Sequence, residues 1–122
     1  SVRKDVELED GSVIRLGNVE VKVLHTPGHT SDSCCLLAGN ALFTGDTLFV
    51  GECGRVDLPG SSIEAMHDSL LRVLRGLPDD LIVYPGHDYG PTPTSTVGHE
   101  KANNYTLRPR TLDEFRLFMR EP

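Results

Sequence analysis

Thr26-Pro27-Gly28-His29-Thr30 closes the apolar run Val19-Glu20-Val21-Lys22-Val23-Leu24-His25 and decides how the rest of the chain is read. Pro27 fixes its own φ and Gly28 permits a tight turn, so His29 is aimed off the end of a strand. The same design recurs twice. Seventeen residues further on, Ala41-Leu42-Phe43-Thr44 runs into Gly45-Asp46-Thr47. Forty-one residues after Asp46, Leu81-Ile82-Val83-Tyr84 runs into Pro85-Gly86-His87-Asp88-Tyr89. Imidazole and carboxylate are the usual donors to zinc, iron or manganese, and turns at strand ends hold such donors firmly. One such turn is ordinary. Three in one chain indicate part of a metal site built from His29, Asp46 and His87.

The surrounding pattern is β-rich at first and α/β afterwards. Val19, Val21 and Val23 alternate with Glu20 and Lys22, as in a half-buried strand. Residues 12–16 and 19–25 flank Gly17-Asn18 and form a hairpin, and residues 33–38 and 41–44 flank Gly39-Asn40 and form a second. Over residues 62–75 the period changes: Ile63, Met66, Leu70 and Leu74 share one helical face. Ser61 and Glu64 make a capping box at its start, and Gly76 with Pro78 stops it. Residues 81–84 read as a short strand buried on both faces. Residues 90–98 read as a loop. Thr111 and Glu114 make a second capping box, opening a short helix to about Met119.

The chain of 122 residues is one domain at most, with a net charge of −6 that disfavours a nucleic-acid partner. Residues 101–122 are nevertheless basic (Lys101, Arg108, Arg110, Arg116, Arg120), a patch suited to a small anion. Cys34, Cys35 and Cys53 form no CxxC and no even framework, which fits a reducing, cytoplasmic setting. Cys34 and Cys35 fall on opposite faces of a strand, and Cys53 lies near the expected site mouth. No apolar run approaches the about 20 residues of a membrane span, and no signal peptide is visible. His25 is expected to pack at the strand end, His67 to be exposed on the helix opposite its apolar stripe, and His99 to lie in a loop or at a helix start; none is expected to bind metal.

The motifs Thr26–Thr30, Phe43-Thr44-Gly45-Asp46-Thr47-Leu48-Phe49, Cys53-Gly54-Arg55 and Pro85–Tyr89 together resemble the metallo-β-lactamase superfamily. Within it they are most similar to the glyoxalase II (hydroxyacylglutathione hydrolase) and persulfide dioxygenase branch, from about Leu8 to Met119. The resemblance implies the C-terminal half of an αββα sandwich, a mixed β-sheet with flanking helices, spanning residues 1–122. It implies that His29 binds a first metal and His87 a second, with Asp46 bridging two zinc ions or binding a single iron. It also implies that Arg55 and Tyr89 contact the glutathione part of a thioester or thiol conjugate. Because His29 and His87 serve opposite metals in that family, a compact triad of the three is not expected. Gly54-Arg55-Val56-Asp57 and His87-Asp88-Tyr89 lean toward the dioxygenases. The family signature His-x-His-x-Asp-His is missing: the histidines stand at 25, 29, 67, 87 and 99. The chain is therefore expected to be a fragment that binds metal weakly alone and has little activity without the preceding half. As a lone half-domain without catalysis, it is expected to cover its sheet by self-association.

Overall fold

In a computed structural model, residues 10–120 are described, and the expected domain ends, the Leu8 start of the resemblance and the side chain of Arg120 lie outside the described residues. Both predicted hairpins form. Strands β1 (Val13–Leu16) and β2 (Val19–His25) pair antiparallel, and so do β3 (Cys34–Ala38) and β4 (Ala41–Gly45). Strand β2 also pairs antiparallel with β3. A small second hairpin-sheet, β5 (Leu48–Phe49) with β6 (Glu52–Cys53), follows β4. The chain then crosses over through a helix and returns as β7 (Ile82–Pro85), parallel to β4. That crossover is what a parallel pair requires. A short β8 (Ser95–Thr96) closes the six-stranded sheet in the order β1-β2-β3-β4-β7-β8.

This topology explains the triple motif. Strands β2, β4 and β7 run in the same direction, so their carboxyl ends reach one edge of the sheet. His29, Asp46 and His87 each leave the sheet there, at the edge where α/β sheets usually place ligands.

Helix α1 (Ile63–Asp68) continues as a π-helical turn, Ser69–Leu74, with the Arg75 N–H donating to the Leu70 carbonyl five residues back. Its Met66, Leu70 and Leu74 are fully buried against Leu42 and Val83 of the sheet and Phe115 of α3 (Leu112–Arg120). Each such side chain contributes about 1.5–3 kcal/mol on burial. The N-cap is Ser62, whose hydroxyl accepts from the Ala65 N–H, and not Ser61 as the capping-box pattern suggested. The second box is as expected: Thr111 and Glu114 exchange backbone-to-side-chain bonds of 2.9 and 3.2 Å.

Three further expectations are corrected. Residues 90–98 are not all loop: they include β8 and the first turn of a helix, α2 (Val97–Asn103), whose N-cap Thr96 accepts from the His99 N–H. The strand at 81–84 is not buried on both faces, because Tyr84 is 37% exposed and stacks on Phe43 of β4. His67 is part-buried, bonded to the Arg110 carbonyl and packed on Phe115, because α3 folds back across its helix. The basic tail is largely engaged: Lys101 pairs with Asp79 and Arg116 with Glu64, while Arg110 lies over the Phe118 ring.

Candidate metal centre

The turn that carries His29 is fixed from below. Gly28 has φ +152°, and a Cβ there would stand 2.6 Å from Met66 Cα, so only glycine fits between the turn and α1. The Ser62 N–H donates to the Gly28 carbonyl, and the Ser69 hydroxyl donates to the Pro27 carbonyl. The turn that carries Asp46 is tied to the first from within the core. The hydroxyls of Thr26 and Thr47, both buried, lie 3.1 Å apart, and the Thr44 hydroxyl donates to the Leu48 carbonyl. The third turn rests on the second, with the Gly86 N–H donating to the Gly45 carbonyl at 2.8 Å.

The three side chains converge on Asp46. His87 Nε2 lies 3.1 Å from Asp46 Oδ1, and His29 Nε2 lies 3.9 Å from Asp46 Oδ2. Each imidazole thus faces a different oxygen of one carboxylate. His29 Nδ1 is 2.8 Å from the Arg55 carbonyl oxygen, which can only accept. That bond places a proton on Nδ1 and turns Nε2 toward Asp46, the orientation in which a histidine binds metal through Nε2. Among the described residues no three His, Cys, Asp or Glu side chains are gathered closely enough to hold a metal ion by themselves. The donor types and the Nδ1 hydrogen bond of His29 fit a metal.

Around these groups stand further side chains. Phe49 presents its ring edge-on to His87 at 6.0 Å and to Tyr89 at 5.1 Å. Ser61, displaced from the capping role, donates to the His29 carbonyl. Tyr89 is exposed, and its ring stacks flat on His87 at 5.0 Å and 9°. Arg55 is not a free fork: its Nε and terminal nitrogen each hold one oxygen of Asp57 at 3.0 Å. That hydrogen-bonded pair raises the Arg55 pKa and lowers that of Asp57. Arg55 also lines an open cleft of about 560 Å³ with Glu52, Asp57, Tyr105 and Phe118. The cleft adjoins His29 through Arg55 but is lined by none of the three metal-type ligands.

Cys53 is not a reactive thiol at the site mouth. It is buried, and desolvation pushes its pKa up to about 12, with the Glu52 charge adding to the effect. Burial raises Cys35 to about 11. The folded state therefore keeps both protons where the unfolded chain, titrating near 9.0, has lost them. Their contribution to stability is full below that pH and falls as pH rises toward 12. At pH 8 a disulfide reagent such as DTNB is expected to titrate the exposed Cys34 rapidly and all three thiols only after unfolding. Rapid release of two equivalents from folded protein would contradict this burial.

The sequence profile of the metallo-beta-lactamase superfamily matches residues 2–87. The chain belongs to the metallo-beta-lactamase superfamily. Among members of the superfamily it is 48% identical, over 86 residues, to a probable hydroxyacylglutathione hydrolase of Schizosaccharomyces pombe, covering 67% of this chain and 33% of that protein. It is 39% identical to the probable polyketide biosynthesis zinc-dependent hydrolase PksB of Bacillus subtilis, covering 78% and 42%. It is 40% identical to the crystal structure of ETHE1 from Myxococcus xanthus, with a TM-score of 0.88 over 94% of this chain and 51% of that one. These similarities put it in the glyoxalase II and persulfide dioxygenase branch of the superfamily. The chain spans a third to about half the length of these relatives. The mixed sheet with flanking helices is the metallo-beta-lactamase fold. No described helix is long and apolar enough to cross a membrane.

Proposed function

We propose that this chain is the C-terminal half of a metal-dependent hydrolase that acts on a thioester, such as a glutathione conjugate, and that His29, Asp46 and His87 are its share of the metal ligands. The observation that carries the reading is the pair of imidazoles facing opposite oxygens of Asp46. When bound, zinc or iron supplies Lewis acidity and lowers the pKa of a coordinated water. Asp46 spans the two positions, the Arg55 carbonyl keeps His29 in the ligating tautomer, and Phe49 with Tyr89 encloses the His87 ring. Arg55 reaches a substrate carboxylate by exchanging it for Asp57, and the exposed Tyr89 offers its hydroxyl at the rim.

The sheet supports the half-domain reading. By register, Ile14, Leu16, Val19, Val21, Val23, Leu36, Ala38, Ala41, Phe43, Ile82 and Tyr84 share the face opposite α1; Val23 is buried, and among the described residues no Asp, Glu, Lys or Arg interrupts them. Leu16, Val19, Phe43 and Tyr84 are well exposed there. An apolar sheet face of this kind needs a cover. The preceding half of the same fold would be that cover, with a second copy taking its place when the chain is alone. Three ligands fall short of the superfamily's set, so activity belongs to the longer protein.

A mononuclear iron persulfide dioxygenase is the second reading, favoured by Arg55-Val56-Asp57, which here forms a closed ion pair beside His29. An assay of the full-length protein on an acylglutathione thioester separates the two. Zinc-loaded enzyme is expected to hydrolyse it, His87→Ala to abolish turnover, and Arg55→Ala to raise KM with less effect on kcat. Oxygen consumption with a glutathione persulfide and no thioester hydrolysis would establish the second reading instead.

A further inference from the structure

We propose that Glu100 and Asn104 of the α2 segment are positioning residues of the metal centre, acting through the β5–β6 hairpin. The consequence for metal binding rests on the reading of His29, Asp46 and His87 as ligands, whereas the geometry stands without it. Glu100 is 1% exposed, an unusual place for a carboxylate. Its Oε1 accepts from the Gly51 N–H at 2.8 Å and from Asn104 Nδ2 at 2.9 Å, and its Oε2 accepts from the Ser95 hydroxyl at 2.7 Å. Asn104 Nδ2 also donates to the carbonyls of Phe49 and Glu52, each at 3.2 Å. Two side chains therefore hold three backbone groups of one hairpin: Phe49 C=O, Gly51 N–H and Glu52 C=O.

That hairpin has strands of only two residues each, too short to set its own position. Yet it and the residues directly after it touch all three candidate ligands. The Phe49 ring meets His87. Gly54 is pressed against the Asp46 backbone, where a Cβ would stand 1.8 Å from the Asp46 carbonyl oxygen. The Arg55 carbonyl fixes the His29 tautomer. From the other side, Gly90 packs on Val50, where a Cβ would be 2.4 Å from the Val50 oxygen. The bonds from a buried carboxylate are charge-assisted and stronger than neutral ones, which suits a clamp. A buried carboxylate serving only to anchor α2 would have no reason to reach across to a loop 49 residues away.

The test uses isotope-labelled, metal-free full-length protein and three variants, read by NMR and then by cobalt(II) titration. The parent is expected to show contacts between the Phe49 and His87 rings and a His29 ring that carries its proton on Nδ1. Glu100→Ala is expected to lose the ring contact and to mix the His29 tautomers while the amide signals of β2, β3 and β4 stay in place. Glu100→Gln keeps an acceptor for Gly51 and is expected to restore both. A general loss of stability would lower the melting temperature without moving the tautomer in the molecules that stay folded. On adding cobalt(II), Glu100→Ala is expected to bind about 10–100-fold more weakly than the parent. If Glu100→Ala does not fold, Asn104→Ala, which loses the Phe49 and Glu52 bonds, is read in the same way. Unchanged ring contact and tautomer in the folded alanine variant would overturn the positioning role. A parent that takes up no cobalt(II), with the NMR changes present, would leave the clamp standing and remove the metal-ligand reading.

Discussion

Gly54→Ala is expected to be the most damaging single-methyl change in the chain. Its Cβ would sit 1.8 Å from the Asp46 carbonyl oxygen, 3.0 Å from the Asp46 carbonyl carbon and 3.3 Å from His29 Cβ. Two of these neighbours are backbone atoms, so no side chain can rotate away. Either β6 moves outward, breaking the Gly54 N–H bond to the Thr47 carbonyl, or the Asp46 turn moves. Overpacking of this severity costs about 3 kcal/mol or more. Because both escape routes separate His29 from Asp46, stability and ligand geometry should fall together. Thermal or urea unfolding measures the first. A variant within about 0.5 kcal/mol of the parent, the range of an innocuous surface change, would show that the approach at Gly54 is not as close as described. Gly51, by contrast, has open space around its Cα and a φ of +82°, so alanine there strains the backbone without a clash.

Asp46→Ala is expected to have the largest effect on metal affinity, greater than His29→Ala or His87→Ala. Each histidine faces one oxygen of Asp46, whereas Asp46 faces both histidines. Removing it deprives both positions of a donor and of negative charge. The expected loss exceeds about 100-fold, beyond what a change to a supporting residue produces. The fold should survive, since the Asp46 side chain is nearly half exposed and its contacts are to the two imidazoles. Calorimetric zinc titration of the full-length protein and each variant measures the ranking. Equal losses in all three variants would argue that Asp46 serves one position only.

Much of this arrangement was legible in the sequence because the chain states it locally. Alternation along Val19–Val23 and the Gly17-Asn18 and Gly39-Asn40 turns specify the hairpins, and each of the turns bearing His29, Asp46 and His87 carries its own glycine. What was missed depends on distant contacts. Helix α2 begins after a run of prolines and threonines and contains Gly98, so its propensity is poor. It is held by the Thr96 cap, by the buried Glu100 bonds and by Asp79, against which a Cβ at Gly98 would stand 2.9 Å. Tyr84 looked like a core residue because Leu81-Ile82-Val83-Tyr84 is apolar throughout, and a sequence cannot say which layer covers the second face. Ser61 and Ser62 are adjacent hydroxyls, and only the path of the His29 turn decides which of them caps α1. The occupation of Arg55 by Asp57 is likewise a matter of side-chain choice, two residues apart in an exposed loop.

Metal analysis of the full-length protein, purified without chelator beside its Asp46→Ala variant, tests the metal-centre assignment most directly. Stoichiometric zinc or iron in the parent, largely lost from a variant that remains folded, is the predicted result. A folded parent that holds no metal after exposure to zinc and iron, or a variant that holds as much as the parent, would contradict the assignment of His29, Asp46 and His87.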